Sequence, residues 1–465
     1  MTDQITVGAS FRDPSGFVFR RDGEIFRQVN PVYRAHYDKL MDSGLYESLV
    51  TDGYLLPHAE IEGLPGSDDA YKILHPRQIP FVSHPYEWSF SQLQDAALAT
   101  LTIQKRALAS GMTLKDASAY NIQFIDGRPT LIDTLSFEHY LEGQAWVAYR
   151  QFCQHFLAPL AVSAYVDERL ARASRTHLDG MPLDLASRLL PSRTRLKPGL
   201  LMHIHLHATS QRRFEGWAPQ GRAPQKGHER KISRRGLEGI VESLESTVRG
   251  LRWKLGQSVW SDYYGSTGYS EAALDEKAKL VADLVRRAAP EIVWDLGANT
   301  GRFSRVAAGA ASLVVSCDFD ALAVERNYLE TRERKERNIL PLVLDLTNPS
   351  PDLGWAHDER QSLAARGPAD LGLALALVHH LAIASNVPLD RIAQYFGRIS
   401  RNLVIEFVPK DDPQVQRLLQ SRRDVFTEYS REHFETAFAV MFELSETRPV
   451  GDSGRILYLM TGRRD

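Results

Sequence analysis

Three sets of residues have types and spacing suited to chemistry. In the first, Asp295-Leu296-Gly297-Ala298-Asn299-Thr300-Gly301 sets two glycines behind an acid. Glycine lets a backbone turn tightly and approach a ligand with no Cβ in the way. A helical pattern starts at about Arg302, where unpaired N–H groups and the positive end of the dipole fall. The spacing D-x-G-x-x-x-G is not the G-x-G-x-x-G of a dinucleotide site. With no diphosphate to cradle, it suits a ligand whose carboxylate and ammonium sit over the turn. The second set is His379, His380 and Glu406, each able to take a proton from a hydroxyl nucleophile. The plainer role for the histidines is structural or capping. The third set is Asp116, Asn121 and Asp133 in "LKDASAYNIQFIDGRPTLID". There one carboxylate could orient a hydroxyl while an amide and a second carboxylate hold magnesium.

These residues sit on identifiable elements. "IVW" before Asp295 reads as a buried strand, and strands alternate with helices from 291 to the C-terminus. That pattern predicts a mostly parallel sheet covered by helices on both faces. Upstream, "FVFRRDGEIFRQV" predicts a hairpin around Asp22-Gly23. A helical pattern then runs to near Asp52-Gly53, and "YKILHPRQIPFVSH" reads as two short strands. The stretch "SFSQLQDAALATLTIQKRALASG" predicts a helix from a Ser cap to Gly111. Apolar helices are expected from Trp146 to about Leu190. Residues 218–236, rich in Pro, Gly and basic side chains, read as a solvated linker. The expected division is 1–217 as an α+β domain, 218–236 as linker and 237–465 as an α/β domain.

The cofactor-type loop and the strands after it closely resemble class I S-adenosylmethionine (SAM) dependent methyltransferases. The loop matches motif I of that family, which implies that Asp295, Gly297, Asn299 and Gly301 bind SAM. "LVVSCDFD" resembles the second strand, with Asp318 where the family sets an acid on the ribose hydroxyls; a register two residues later would give Asp320. "ILPLVLDLTN" ends in Asp345, where the family reads the adenine amino group. "ADLGLALALVHHL" and "NLVIEFVPKDD" match the fourth and fifth strands, with "GRILYLMTG" as a closing hairpin partner. The resemblance covers about residues 255–465 and implies a Rossmann-like, seven-stranded, mostly parallel sheet. On it, His379 and His380 end the fourth strand and Glu406 ends the fifth, at the carboxyl edge where ligands bind. The aromatic segment with Trp260, Tyr263, Tyr264 and Tyr269 either lids the cofactor or packs on the domain. The chain also resembles the nodulation host-specificity proteins of rhizobia, which points toward a glycan or glycolipid acceptor.

The spacing of Asp116, Asn121 and Asp133 resembles the catalytic loop and metal-binding acid of kinase-like folds, in particular the aminoglycoside and sugar kinases. The resemblance implies magnesium and ATP, with Asn121 and Asp133 as metal ligands. Several family features are missing. Only Gly16 stands near the expected glycine loop, Arg27 stands where a phosphate-gripping lysine belongs, and Ser136 replaces a glycine. A degenerate kinase-like module, an active kinase and an unrelated fold all stay open. In "LMHIHLHA", His203, His205 and His207 would share a face on a strand and could bind metal, whereas on a helix only His203 and His207 would; with no carboxylate or Cys partner nearby, ordinary packed histidines are the plainer reading.

Composition narrows the function. With 25% charged residues and a net charge of −2, nothing resembles a basic nucleic-acid-binding chain. No Asp/Asn-Pro-Pro-Tyr or Pro-Cys motif stands after the fourth strand, which disfavours methylation of nucleobases. Two distant cysteines fit a reducing compartment, and neither a signal peptide nor a membrane span is evident. The expectation is a cytoplasmic SAM-dependent O-methyltransferase acting on a small molecule, saccharide or glycolipid, with the N-terminal domain helping to recognise substrate. The alternatives are a bifunctional kinase-methyltransferase using Mg-ATP at Asp116, Asn121 and Asp133, and a non-catalytic regulatory or scaffold protein.

Overall fold

The computed structural model describes residues 5–62, 70–208, 231–254, 271–420 and 424–463. The chain forms two compact units: Met1–Lys254 with Gly354–Glu359, and Leu255–Leu353 with Arg360–Asp465. Among the described residues no helix is long and apolar enough to cross a membrane.

The first unit opens with strands β1 (Ile5–Thr6), β2 (Gly16–Arg21), β3 (Glu24–Val29), β4 (His58–Glu60) and β5 (Lys72–Pro76), in the order β1-β2-β3-β5-β4. The Asp22-Gly23 hairpin forms as expected, both residues having positive φ (51° and 86°). Helices Arg34–Asp42 and Leu45–Thr51 are separated at Gly44, where φ is 73°. Of the two strands expected over residues 71–84, only β5 forms, and β4 had no sequence signal. The helix Phe90–Ala109 starts after Ser89, whose N–H donates to Gln92 Oε1 at 2.9 Å, and buries Leu93, Ala97, Leu101 and Leu108. Beyond it, β6 (Met112–Leu114) pairs with β9 (Phe137–His139), and β7 (Ile122–Ile125) forms a hairpin with β8 (Arg128–Leu131). These two small ladders fix the loops that carry Asp116, Asn121 and Asp133.

The expected domain boundary shifts. Residues 218–230 of the linker lie outside the described residues, and Ser233 already caps the helix Arg234–Gly250. That helix buries Leu237, Val241, Leu244 and Val248 along one stripe. Gln94 of Phe90–Ala109 donates to its Val248 carbonyl at 2.8 Å, and Lys105 pairs with Glu245. Each such aliphatic burial contributes roughly 1.5–3 kcal/mol. The helix therefore belongs to the first unit, and the second begins at Leu255 rather than at 237.

The second unit is built on a seven-stranded sheet. Its strands are β10 (Ile292–Leu296), β11 (Leu313–Asp318), β12 (Ile339–Val343), β13 (Ala369–Ala374), β14 (Ser400–Phe407), β15 (Phe442–Pro449) and β16 (Ile456–Gly462). Their order is β12-β11-β10-β13-β14-β16-β15, with β10 to β14 parallel and β16 antiparallel to both neighbours. Strands covered on both faces read as near-continuous apolar runs. Val293, Val314, Leu371 and Val404 accordingly lie in one core with Val281, Leu284 and Phe303 from the helices. The strand order reverses beside β10, because β11 lies on one flank and β13 on the other. Open α/β sheets bind ligands at the carboxyl edge of such a switch point.

Candidate functional site

The loop after β10 is shaped by what it lacks. Gly297 (φ 78°) and Gly301 (φ 81°) hold left-handed conformations. A Cβ on Gly301 would stand 2.3 Å from Asn327 Oδ1, and one on Gly297 would stand 3.2 Å from a Leu377 methyl. Beneath the turn, Asp295 accepts the Ser304 hydroxyl at 2.6 Å, Ser304 and Ser316 hydroxyls meet at 2.7 Å, and Asn327 donates to Ser316 at 2.8 Å. Burial raises the Asp295 carboxyl to about 7. Asn299 (φ 52°) donates its N–H to Asp318 Oδ2 at 2.8 Å, and Asp318 Oδ1 accepts from the Asp320 N–H at 2.8 Å. Burial moves Asp318 up to about 6, against the pull of those backbone donors. Asp320 instead caps the helix Ala321–Glu333 through Leu322 N–H. The acid at the strand end is thus Asp318.

Two positions differ from expectation or went unnoticed. Asp345 stands two residues beyond β12, exposed, where it accepts from the N–H and hydroxyl of Thr347. Phe319, 51% exposed at the carboxyl edge, was missed. Its signal was an aromatic between two acids immediately after a strand. The aromatic segment around Trp260, Tyr263, Tyr264 and Tyr269 lies outside the described residues.

The expected bases fare differently from one another. β13 ends at Ala374, so His379 and His380 do not end the strand; they begin the following helical turn, which widens to a π-helix over His380–Ala384. The apolar run continued past the strand, and periodicity alone did not separate strand from helix. His379 is fully buried, and among the described residues neither ring nitrogen has a hydrogen-bond partner. Burial lowers the basicity of both rings, His380 to about 4 and His379 further below its usual value. Glu406, near the end of β14, is not a free base. Its carboxylate accepts from Lys277 Nζ at 2.6 Å and lies 3.8 Å from Arg455, which forks onto Asp412 at 2.7 and 3.1 Å. Lys277 had a legible signal: it falls on the apolar stripe with Leu274, Val281 and Leu284.

In the first unit, Asp116, Asn121 and Asp133 are brought together. Asp133 Oδ2 accepts the Ser136 hydroxyl at 2.7 Å, and the Asn121 amide donates to the same hydroxyl at 3.3 Å. Burial, then the charge of Asp133, raise the Asp116 carboxyl, while hydrogen bonds from Asn121 and Gln151 lower it. Arg27 of β3 pairs with Asp133 Oδ1 at 2.7 Å, and the Leu135 N–H reaches the same oxygen. Both Asp133 oxygens are therefore engaged, and the Arg27 guanidinium on Oδ1 puts a positive charge where a magnesium ion would have to bind. No group of three or more His, Cys, Asp or Glu suited to a metal occurs among the described residues. His203 and His205 are packed histidines on a π-helical turn rather than a strand. His203 bonds Tyr149 and Ser243, and His205 bonds Ser187 and Thr194, each at 2.8–2.9 Å. His207 stacks on Tyr149.

No family model matches the chain. It is 35% identical over 459 residues to the nodulation protein NoeA of Rhizobium meliloti (strain 1021), covering 97% of this chain and 95% of that protein. Among solved structures, the N-methyltransferase NodS from Bradyrhizobium japonicum WM9 with S-adenosyl-L-homocysteine aligns at 12% identity. That match covers 45% of this chain and 100% of NodS, with a TM-score of 0.33. Magnesium protoporphyrin IX methyltransferase from Synechocystis PCC 6803, with bound SAM, aligns over 44% of this chain and 86% of its own at 17% identity and a TM-score of 0.30. The bifunctional kinase-methyltransferase WbdD aligns over 47% of this chain and 46% of its own at 19% identity and a TM-score of 0.30.

Proposed function

This chain belongs to the family of the nodulation protein NoeA, and we propose that it is a SAM-dependent methyltransferase acting on a hydroxyl of a small molecule, saccharide or glycolipid. The carrying observation is the loop at the switch point, where two left-handed glycines and a strand-end acid converge. The residues fit SAM. The side-chain-free faces of Gly297 and Gly301 would let the backbone lie against the amino-acid end, and Asp318 keeps lone pairs for two vicinal hydroxyls. Phe319 would offer its exposed ring to a planar base, and Asp345 would accept from its amino group. When bound, SAM supplies a methyl group on a sulfonium: an acceptor oxygen's pair forms the new C–O bond while the C–S pair leaves with sulfur.

His379 suits an oxygen acceptor: burial, then the charges of His380, Arg455 and Lys277, keep its ring uncharged, and its nitrogens are open to a hydroxyl's hydrogen bond. His379 is the group that would accept the hydroxyl's hydrogen bond and then its proton. Calorimetry with S-adenosylhomocysteine (SAH) tests the function: wild type should bind, and Gly297→Arg or Asp318→Ala should weaken binding strongly. Unchanged binding in both variants would sink the proposal. Tritiated SAM with a panel of hydroxylated saccharides then identifies the acceptor.

For the first unit we favour a kinase-like scaffold that helps recognise substrate over a working kinase, because Arg27 occupies the acid a metal would need. A cytoplasmic location and the absence of a nucleic-acid partner remain part of the same proposal.

A further inference from the structure

One surface of the first unit is both basic and apolar. From Leu185 to Ala208 the sequence has four Arg or Lys and no acid, in a chain whose 56 basic and 58 acidic residues otherwise nearly balance. The stretch folds as short helical segments: Leu183–Leu189, Ser192–Leu196, and Pro198–Leu200 running into Leu201–Leu206. His205 ties them together. It is buried, and its two ring nitrogens meet the Ser187 and Thr194 hydroxyls, each at 2.9 Å. Chain neighbours of these anchors are about 3.8 Å from them, Cα to Cα: Arg188 beside Ser187, Arg193 and Arg195 beside Thr194, Leu206 beside His205. The anchors are buried and the neighbours are not. Leu196 is 85% exposed, Leu206 56% and Met202 51%, and Met202 and Leu206, four residues apart, share a helix face. Arg193, Arg195 and Lys197 are exposed too, and among the described residues none of the three is in an ion pair; Arg188 pairs with Asp184 of its own helix.

We propose that this surface seats the protein on an anionic lipid surface, with Arg193, Arg195 and Lys197 on the headgroups and Leu196, Met202 and Leu206 at the acyl boundary. Large aliphatic side chains left in water among unpaired cations complement a partner that is negative outside and apolar just beneath, and an anionic bilayer is layered in that way. A nucleic acid complements the cations alone. Single strands are gripped by stacking on aromatic rings, and residues 185–208 contain no Phe, Tyr or Trp; a phosphate backbone would leave the leucines in water. No helix among the described residues can cross a membrane, so the attachment is to the surface. It goes beyond the methyltransferase function proposed above and does not depend on it.

The test is co-sedimentation of the full chain with phosphatidylcholine vesicles that contain phosphatidylglycerol, against vesicles of phosphatidylcholine alone. Wild type should pellet with the first and stay in solution with the second, and added salt should weaken the attachment. Arg193→Gln with Arg195→Gln and Lys197→Gln should lower vesicle affinity about 100-fold, the scale for three cations at an anionic surface. Leu196→Ser with Leu206→Ser should lower it about 10-fold or more. Both variants change exposed side chains and should melt as wild type does. Wild type that ignores both vesicles or pellets equally with both overturns the proposal, as do variants that bind lipid like wild type. A dimer that Leu196→Ser with Leu206→Ser dissolves, without lipid binding, gives the face to a second copy of the chain instead. Failure to bind SAH would overturn the methyltransferase function and leave the lipid result standing.

Discussion

Two polar clusters in this chain carry the residue types of catalysis, and they differ in what those residues are bound to. At the carboxyl edge of the second sheet stand glycines without side chains and a buried imidazole with, among the described residues, neither nitrogen paired. In the first unit the comparable groups satisfy each other, Arg27 with Asp133, Ser136 with Asp133, and Asn121 with Ser136. Buried polar groups are nearly always paired in folded proteins. An unpaired one is a place where a ligand can supply the missing bond, whereas a closed network is already at its best. The contrast favours the sheet edge over the first-unit cluster as the place to look for a ligand.

The most damaging way to test the open edge is Gly297→Arg. The new side chain must grow from a backbone at φ 78° toward Leu377. SAH affinity should fall by more than about 100-fold, roughly 2.8 kcal/mol or more, with circular dichroism unchanged. The closed cluster breaks differently. Asp133→Asn leaves the Arg27 guanidinium, 15% exposed, without its anion. Losing one partner of a buried pair costs about 3–5 kcal/mol, which urea unfolding would register. Arg27→Met with Asp133→Leu should recover most of that loss. Mg-ATP should not shift the melting temperature of wild type. If it does, and Asp133→Asn abolishes the shift, the contrast between the two clusters fails.

Features specified by neighbouring residues were legible in the amino-acid sequence, and features made by distant ones were not. The glycine spacing and the acid after "LVVSC" were readable because a left-handed turn and a strand-end carboxylate are specified by adjacent residues. The role of Asp320 as a helix cap rather than the ribose acid was open, since two acids flank one phenylalanine and only register decides. The fate of Glu406 was hidden: its partners Lys277 and Arg455 lie far away in sequence, and only sheet closure brings them together. The same holds for Asp133, whose partner sits on a strand more than a hundred residues upstream. The helix Arg234–Gly250 was assigned to the wrong unit because its apolar stripe says that it packs, not against what.

A milder change at the open edge is Asp318→Ala, expected to weaken SAH by roughly 10- to 100-fold, the range of one or two lost hydrogen bonds to a charged group. It carries a pH signature. Burial raises the Asp318 carboxyl to about 6, so above that pH the carboxylate can accept two hydroxyls, and below it a proton occupies one oxygen. Wild-type affinity should therefore be flat above about pH 7 and fall as pH drops through 6, by at most tenfold per unit. Asp318→Ala should remove that acidic limb. A limb that persists in the variant would assign it elsewhere, Asp295 being the neighbour also raised, to about 7.

The smallest expected effect is at Asp345, and it asks whether an open group must be charged to work. Asp345 is exposed and spends one oxygen on the Thr347 turn, so an amide in its place keeps an acceptor for the turn or for an adenine amino group, but not both with equal geometry. Asp345→Asn should weaken SAH by no more than about threefold, because exposed interactions of this kind are screened and worth under ~1 kcal/mol. Asp345→Ala, which removes every acceptor, should cost more than Asp345→Asn. Equal losses would mean that the carboxylate's charge, rather than its capacity to accept, is what the edge uses. Equal retention would mean that Asp345 serves only its turn, leaving Asp318 as the one acid at this edge that reads the cofactor.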